Sequence, residues 1–313
     1  MRSRPTSSYY LQQLAPTPLV PVRLGDGPEI WCKLEFLNPS GSTKDRIARF
    51  ILEKAWRESR IDEQTTIVEA SSGSTSIALA LVCAQLGLRF VAVMAEGVSN
   101  ERIKIIRAYG GEVIMTGHDG GIRGAIAETE RLAADGKVFL PRQFANPDNA
   151  AAHRFGTARE ILDDAPGGIV RTIVSGVGTG GTLVGLYKGM CDAGCKVVPV
   201  VARPVEFAIE DNVEYCSFSK RIPGVVDSVS EIFKESELPQ LLVIEVKGDE
   251  ALHVTRALIR KGFPVGPSSG LNYRAAQITA ERLGLDCTPI VTVFPDRMER
   301  YFSTELFGTS AQT

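Results

Sequence analysis

One lysine of this chain stands where a nucleophilic amine would be useful. Lys44 lies in the run Pro39-Ser40-Gly41-Ser42-Thr43-Lys44-Asp45-Arg46. Before the run come Ile30, Trp31, Leu34 and Phe36, a short apolar stretch with strand character. After it come Ile47, Phe50, Ile51 and Ala55, spaced three and four apart as on a helix face. Asn38-Pro39-Ser40-Gly41-Ser42 is a turn cluster, so Lys44 falls near a helix start. The positive end of a helix dipole disfavours an ammonium there, and desolvation pushes the same way. A neutral amine is what a Schiff-base lysine requires. The plain alternative is a solvated surface charge.

Three further turns are rich in glycine and hydroxyls, and each precedes a helical pattern. They are residues 71–76 (Ser71-Ser72-Gly73-Ser74-Thr75-Ser76), 176–182 (Gly176-Val177-Gly178-Thr179-Gly180-Gly181-Thr182) and 266–270 (Gly266-Pro267-Ser268-Ser269-Gly270). A helix start offers backbone N–H donors and a positive dipole end to an anion. In 176–182 the glycines let the backbone curl round a phosphate, and Thr179 and Thr182 add hydroxyls. Gly176, Gly178 and Gly181 also satisfy the spacing of a dinucleotide fingerprint, which wants an acid about 20 residues on. Residues 199–203 are Pro, Val, Val, Ala and Arg, so that reading loses its ribose contact. The serine-rich 71–76 could clasp a carboxylate or serve only as an N-cap region, and Ser268 could likewise be only a cap. His118, His153 and His253 form no cluster and read as surface or helix residues without a role. The six cysteines are scattered. Cys191 and Cys195 lack a second close pair, so buried free thiols are expected rather than disulfides or a metal site.

The elements that would position these turns alternate. From residue 65 onward, short near-continuous apolar runs (66–69, 90–94, 112–116, 172–175, 196–201, 241–246, 289–294) are followed by amphipathic stretches. That rhythm predicts an α/β fold with mostly parallel sheets flanked by helices. An uninterrupted helix is expected over 150–162, and residues 204–227 read as a long irregular segment. The chain has 313 residues, enough for two domains. Its formal net charge of −2 offers no bulk attraction to nucleic acid or membrane. The apolar stretch 77–88 is broken by Gln85 and too short to span a bilayer. No apolar segment follows the opening residues as in a secretory signal, so a cytoplasmic protein is expected.

Taken together, these motifs resemble the cysteine synthase and cystathionine β-synthase family of pyridoxal-phosphate (PLP) enzymes, of fold type II. The resemblance runs from Thr17-Pro18-Leu19 to Glu299-Arg300-Tyr301-Phe302-Ser303-Thr304, with the four motifs in order. It implies PLP on Lys44 as Schiff base and general base. It implies a cofactor phosphate held by Gly178, Thr179, Gly180, Gly181 and Thr182, Ser268 at the pyridine nitrogen, and Ser74 toward the ring oxygen. It further implies an amino-acid substrate met by Ser71, Ser72, Thr75 and Gln143, the last followed by Phe144. The implied reaction is β-replacement on O-acetylserine or O-phosphoserine through an aminoacrylate, with sulfide giving L-cysteine. Alternatives are β-elimination, as in a desulfhydrase or serine dehydratase, or a nitrogen nucleophile giving 2,3-diaminopropionate-type products. A homodimer is implied as well. So is a large PLP-binding domain of residues 1–37 and 146–313, with a small mobile domain of 38–145. The chain departs from the family's usual T-S-G-N-T-G loop: Ser74 replaces the asparagine and Ser76 a glycine. Arg203, Lys220 and Arg221 hint at an anionic leaving group or are plain surface charge.

Overall fold

The computed structural model describes residues 14–117, 120–134, 136–205 and 229–308. Runs of Val, Ile and Ala bounded by turns give strands buried on both faces, and these assemble into two sheets. One has four parallel strands in the order β5-β4-β3-β6: β3 (Thr66–Ala70), β4 (Arg89–Ala95), β5 (Glu112–Thr116) and β6 (Val138–Phe139). The other has six, in the order β1-β2-β10-β7-β8-β9: β1 (Leu19–Val22), β2 (Ile30–Lys33), β7 (Thr172–Gly176), β8 (Val198–Val205), β9 (Leu242–Lys247) and β10 (Ile290–Val293). Only β1 runs antiparallel to its neighbour. The mostly parallel α/β fold expected from the alternation is what forms.

Helices cover the sheets. They are α1 (Lys44–Arg57), α2 (Ser74–Leu86), α3 (Asn100–Ala108), α4 (Gly121–Ala133), α5 (Asp148–Ala152), α6 (Ala158–Asp164), α7 (Gly181–Asp192), α8 (Gly248–Arg260) and α9 (Pro267–Leu283). In α1 the predicted face, Ile47, Ala48, Ile51, Leu52 and Ala55, is the buried one. Helices α2 and α9 begin inside the turns at 71–76 and 266–270, so Ser74, Thr75 and Ser268 sit in first helical turns.

Three expectations need correction. The helix expected over 150–162 is interrupted by a π-helical turn, His153–Thr157. That turn faces the glycines of α7, where a Cβ on Gly185 would come 2.3 Å from Ala150 O and 2.6 Å from His153 Cβ. His153 is buried rather than exposed, whereas His253 is exposed. Among the cysteines, Cys32, Cys83 and Cys287 are buried free thiols, but Cys191 is exposed and Cys195 half-buried. Strand β8 runs on to Val205, and residues 206–228, with Lys220 and Arg221, lie outside the described residues, as does His118. Arg203 faces Glu235 at 4.0 Å on the surface. Among the described residues no helix is long and apolar enough to cross a membrane.

Beneath the first turn of α1 lies a charge cluster that hydropathy does not foretell. Arg46 reaches Glu35 with two bonds, Nε to Oε2 at 2.9 Å and Nη2 to Oε1 at 2.7 Å. It also bonds Glu160 of α6, with Nη2 2.7 Å from Oε2, and Lys33 of β2 pairs with the same carboxylate at 2.9 Å. Thr17 Oγ1 donates to Glu35 at 2.6 Å, and Asn38 Nδ2 donates to it at 3.0 Å. Burial pushes the Glu35 carboxyl up, but the charge and hydrogen bonds of Arg46 outweigh this and leave it at about 2. Its contribution to stability is therefore complete at neutral pH and is lost as pH falls from the ordinary carboxylate range through about 2.

Removing one partner strands the other charge in the core. Arg46→Met is expected to cost about 3–5 kcal/mol, read as a lower urea midpoint at neutral pH. A midpoint within error of wild type would show the cluster to be dispensable.

Candidate active site

The carboxyl ends of strands in both sheets face one cleft of about 860 Å³, part of it open to solvent. Its floor is set by the Lys44 loop. Ser40 N–H and Oγ bond the Asp45 carboxylate, Thr43 N–H donates to Pro295 O at 2.8 Å, and Arg297 N–H donates to Gly41 O at 3.1 Å. Ser42 pairs with Asp296 as an isolated β-bridge. Lys44 is thereby held at the N-terminus of α1 and projects into the cleft. Burial lowers the pKa of its ammonium from the ordinary lysine value, while the charge of Asp296 pulls the other way. The direction is the one that makes an amine nucleophilic. Beside it, Thr43 Oγ1 is buried without a hydrogen-bond partner.

The glycine loop ends β7 and opens α7. Gly178, Thr179, Gly180 and Thr182 line the cleft. Gly180 has φ +77°, and a Cβ on it would meet Phe233 Cβ at 2.5 Å, so both backbone and space demand glycine. Gly181 lies behind the wall, where a Cβ would meet Asn149 Oδ1 at 1.9 Å. Thr179 Oγ1 accepts from Asn149 Nδ2 at 2.9 Å and from Gly181 N–H at 3.4 Å, which leaves its own proton free to donate. Thr182 Oγ1 is 3.3 Å from His153 Nε2, whose ring is bonded at Nδ1 to Thr157 Oγ1 at 3.0 Å. Burial pushes His153 down to about 3; Glu35 opposes the fall, and Lys44 and Arg46 add to it. The imidazole is therefore neutral at physiological pH.

The serine loop ends β3 and opens α2. Ser72, Ser74 and Thr75 line the cleft, but Ser71 does not. Ser71 Oγ accepts from Gly73 N–H at 2.8 Å and Ser76 N–H at 3.2 Å, and it pairs with Ser76 Oγ at 2.8 Å. Gln143 and Phe144 are on the wall. Gln143 is clamped, donating to Ala70 O at 2.6 Å and accepting from Thr75 Oγ1 at 2.5 Å. Its backbone N–H donates to the buried Glu69 carboxylate at 3.2 Å. Ser268, in the first turn of α9, completes the set.

The structure thus brings ten of the twelve expected residues to one cleft, with Ser71 and Gly181 one layer behind. Sequence reasoning missed Arg102, Asp296 and Asn272, which also line it. Asn272 accepts from Gly176 N–H at 2.7 Å and donates to Val293 O at 2.9 Å, tying the glycine loop to β10. Asp296 accepts from Tyr301 OH at 2.6 Å and from Ser74 Oγ at 3.3 Å. Arg102 sits in an ordinary amphipathic helix beside Glu101, Lys104 and Arg107, and Asp296 follows a proline as a strand terminator would. Neither position stands out in the sequence. Among the described residues no His, Cys, Asp or Glu cluster could hold a metal.

Comparison with known proteins agrees with this geometry. Residues 10–296 match the family described as "Pyridoxal-phosphate dependent enzyme". The chain is 35% identical over 307 residues to a cysteine synthase of Staphylococcus aureus, covering 95% of this chain and 96% of that one. It is 37% identical over 284 residues to cysteine synthase B of Campylobacter jejuni, covering 90% and 93%. Among solved structures, it superposes on an O-acetylserine dependent cystathionine β-synthase from Helicobacter pylori with TM-score 0.83 and 32% identity, covering 98% and 100%.

Glu69 yields a test of the wall behind the serine loop. Burial raises its pKa to about 8, against the pull of backbone N–H donors. The folded state then keeps a proton that the unfolded chain releases. The resulting stability is full below the ordinary carboxylate pKa and falls as pH rises toward about 8. Glu69→Gln is expected to flatten that decline in urea midpoints measured at pH 5, 6.5 and 8. An unchanged slope would mean that Glu69 does not hold the proton.

Proposed function

The chain belongs to the pyridoxal-phosphate dependent enzymes of the cysteine synthase and cystathionine β-synthase type, and on that footing we propose that it replaces the β-substituent of an activated L-serine with sulfide to give L-cysteine. The observation that carries the reading is Lys44: a half-buried amine with a lowered pKa, in one cleft with a glycine-lined helix start. The residues present fit the cofactor. The partnerless Thr43 hydroxyl, the free proton of Thr179 and the N–H groups opening α7 are donors awaiting an acceptor. In this proposal Gly178, Thr179, Gly180, Gly181 and Thr182 hold the phosphate, Gly181 through its backbone. Ser268 meets the pyridine nitrogen, and Ser74 borders the ring. Ser72, Thr75 and Gln143 face the substrate, while Ser71 shapes the loop beneath them.

When bound, the cofactor supplies an electron sink for the charge that develops at the substrate Cα. The protein's part is proton handling and placement. Lys44 Nζ, neutral by desolvation, takes the Cα proton and later returns it. The charge of Asp296 favours the ammonium that Lys44 becomes in between. Ser268, a neutral hydroxyl, can donate to an unprotonated ring nitrogen. A carboxylate at that place would hold the nitrogen protonated. The neutral His153 braces Thr182 without adding positive charge beside Lys44.

The same proposal includes a homodimer, a cytoplasmic location and movement of residues 38–145 as a small domain over the rest. Light scattering of the holoenzyme tests the first.

Purified holoenzyme supplied with O-acetylserine and sulfide should release acetate and L-cysteine in equal amounts. Pyruvate and ammonia in place of cysteine would move the reading to elimination. Lys44→Ala should abolish turnover while keeping the fold. Borohydride reduction followed by peptide mapping should fix the cofactor to the Lys44 peptide of wild type alone, and label on another lysine would remove Lys44 from the site. Thr182→Val loses a hydrogen bond to a charged group, worth about 1.5–3 kcal/mol. Cofactor affinity should fall roughly ten- to a hundredfold, and an unchanged titration of the apo protein would place the phosphate elsewhere.

A further inference from the structure

The hydroxyls of residues 71–76 are mostly spent on the protein itself. Ser71 serves Gly73 and Ser76, Thr75 donates to Gln143, and Ser74 donates to Asp296. What remains on that wall is Ser72 and the first N–H groups of α2, at Ser74 and Thr75. None of these carries a full charge. A carboxylate leaving water for a buried site is costly unless a cation or several donors offset its desolvation.

Arg102, from the first turn of α3, supplies the missing charge. It lines the cleft and is 4% exposed, yet its Nε has no hydrogen-bond partner. Its stem lies against Gly73, where a Cβ would come 2.1 Å from Arg102 Cδ and 3.0 Å from Nε. Gly73 has φ +134°, so glycine is demanded there twice over, and Nε is brought directly against the serine loop. The rest of the guanidinium is lightly held. One Nη donates to Ser99 Oγ at 3.2 Å, and the group stacks 4.8 Å from the centroid of the Tyr301 ring. Among the described residues it has no ion-pair partner. Asp296, the acid on the same wall, is engaged at Oδ2 by Tyr301 and Ser74, and its Oδ1 lies toward Gly266, where a Cβ would meet it at 2.4 Å.

We propose that Arg102 and the N-terminus of α2 together form the subsite for the α-carboxylate of the amino-acid substrate, with Arg102 as its charged partner. This rests on the amino-acid chemistry proposed above. The carboxylate is the one anion that every substrate of that chemistry brings. The geometry puts an unspent, buried cationic donor against the loop whose own hydroxyls are committed elsewhere.

The test titrates holoenzyme with L-alanine and with L-alaninamide, following the visible spectrum of the bound cofactor. The two ligands differ only in the carboxylate. Wild type should prefer alanine. Arg102→Gln should lose about ten- to a hundredfold of its alanine affinity and leave alaninamide within about twofold, collapsing the preference. Arg102→Lys, which keeps the charge, should retain most of it. Should the glutamine variant prove unstable, Arg102→Met keeps an apolar stem against Gly73 and gives the same comparison. Equal weakening of both ligands, or of neither, would overturn the proposal and leave Arg102 as a brace for Gly73. A wild-type spectrum that responds to neither ligand would instead overturn the amino-acid reading itself, and the subsite with it.

Discussion

Two cations and two anions buried together beneath the first turn of α1 hold the site in place. Lys33, Glu35, Arg46 and Glu160 balance in formal charge, and each belongs to a different piece of chain: β2, the turn after it, α1 and α6. No hydrophobic contact could fix that junction as narrowly, because apolar surfaces tolerate sliding, whereas a two-bond Arg46–Glu35 pair does not. Arg46 lies two residues beyond the lysine that does the chemistry. Whatever fixes Arg46 also fixes where Lys44 Nζ can reach. Such a cluster adds little net stability compared with an apolar core of equal volume. Its value here is the position it imposes.

The same cluster shapes the electrostatics above it. His153, next to Thr182, lies within the influence of Glu35, Lys44 and Arg46 together, and burial decides in favour of the neutral ring. A charged imidazole there would sit behind the glycine loop and raise the cost of an ammonium at Lys44. With His153 neutral, the pKa of Lys44 is set mainly by burial, and Asp296 restores part of what burial removes. Asp296 in turn is tied to Tyr301 and, through Ser74, to the start of α2. One carboxylate therefore connects the lysine, the closing segment of the chain and the serine loop.

Much of this was legible in the sequence, for physical reasons that differ by element. Strands such as β3 and β4 announce themselves because both faces are buried and every position must be apolar. The glycine loop is legible because only glycine satisfies the φ of Gly180 and the space beside Gly181. The π-turn at 153–157 was not legible. It depends on how α7 packs against it, and a local pattern of Ala, His and Gly carries no trace of a partner from 28 or more residues on. Arg102 and Asp296 were missed for a related cause. A buried charge looks like a surface charge until its neighbours are known, and those neighbours come from Gly73 and Tyr301, far away in sequence. Ser71 was placed in the substrate set because serine hydroxyls beside a helix start look available, and only the structure shows Ser71 Oγ bonded to Gly73, Ser76 and no ligand.

The serine-for-asparagine change at residue 74 takes on a definite meaning in this setting. A serine is too short to project as far into the cleft as an asparagine, and here its hydroxyl turns to Asp296. That bond links the first turn of α2 to the segment that also anchors the Lys44 loop, through the Ser42 bridge to Asp296 and the Thr43 bond to Pro295. The loop has in effect exchanged a contact with the contents of the cleft for a contact with its rim. With Ser71, Ser74 and Thr75 all engaged by the protein, the wall is preorganised and poor in neutral side-chain donors. Recognition of an anion then falls on backbone N–H groups and on Arg102. The departure from the family's usual loop and the cation against Gly73 are two sides of one arrangement, in which charge does what hydroxyls and an amide would otherwise do.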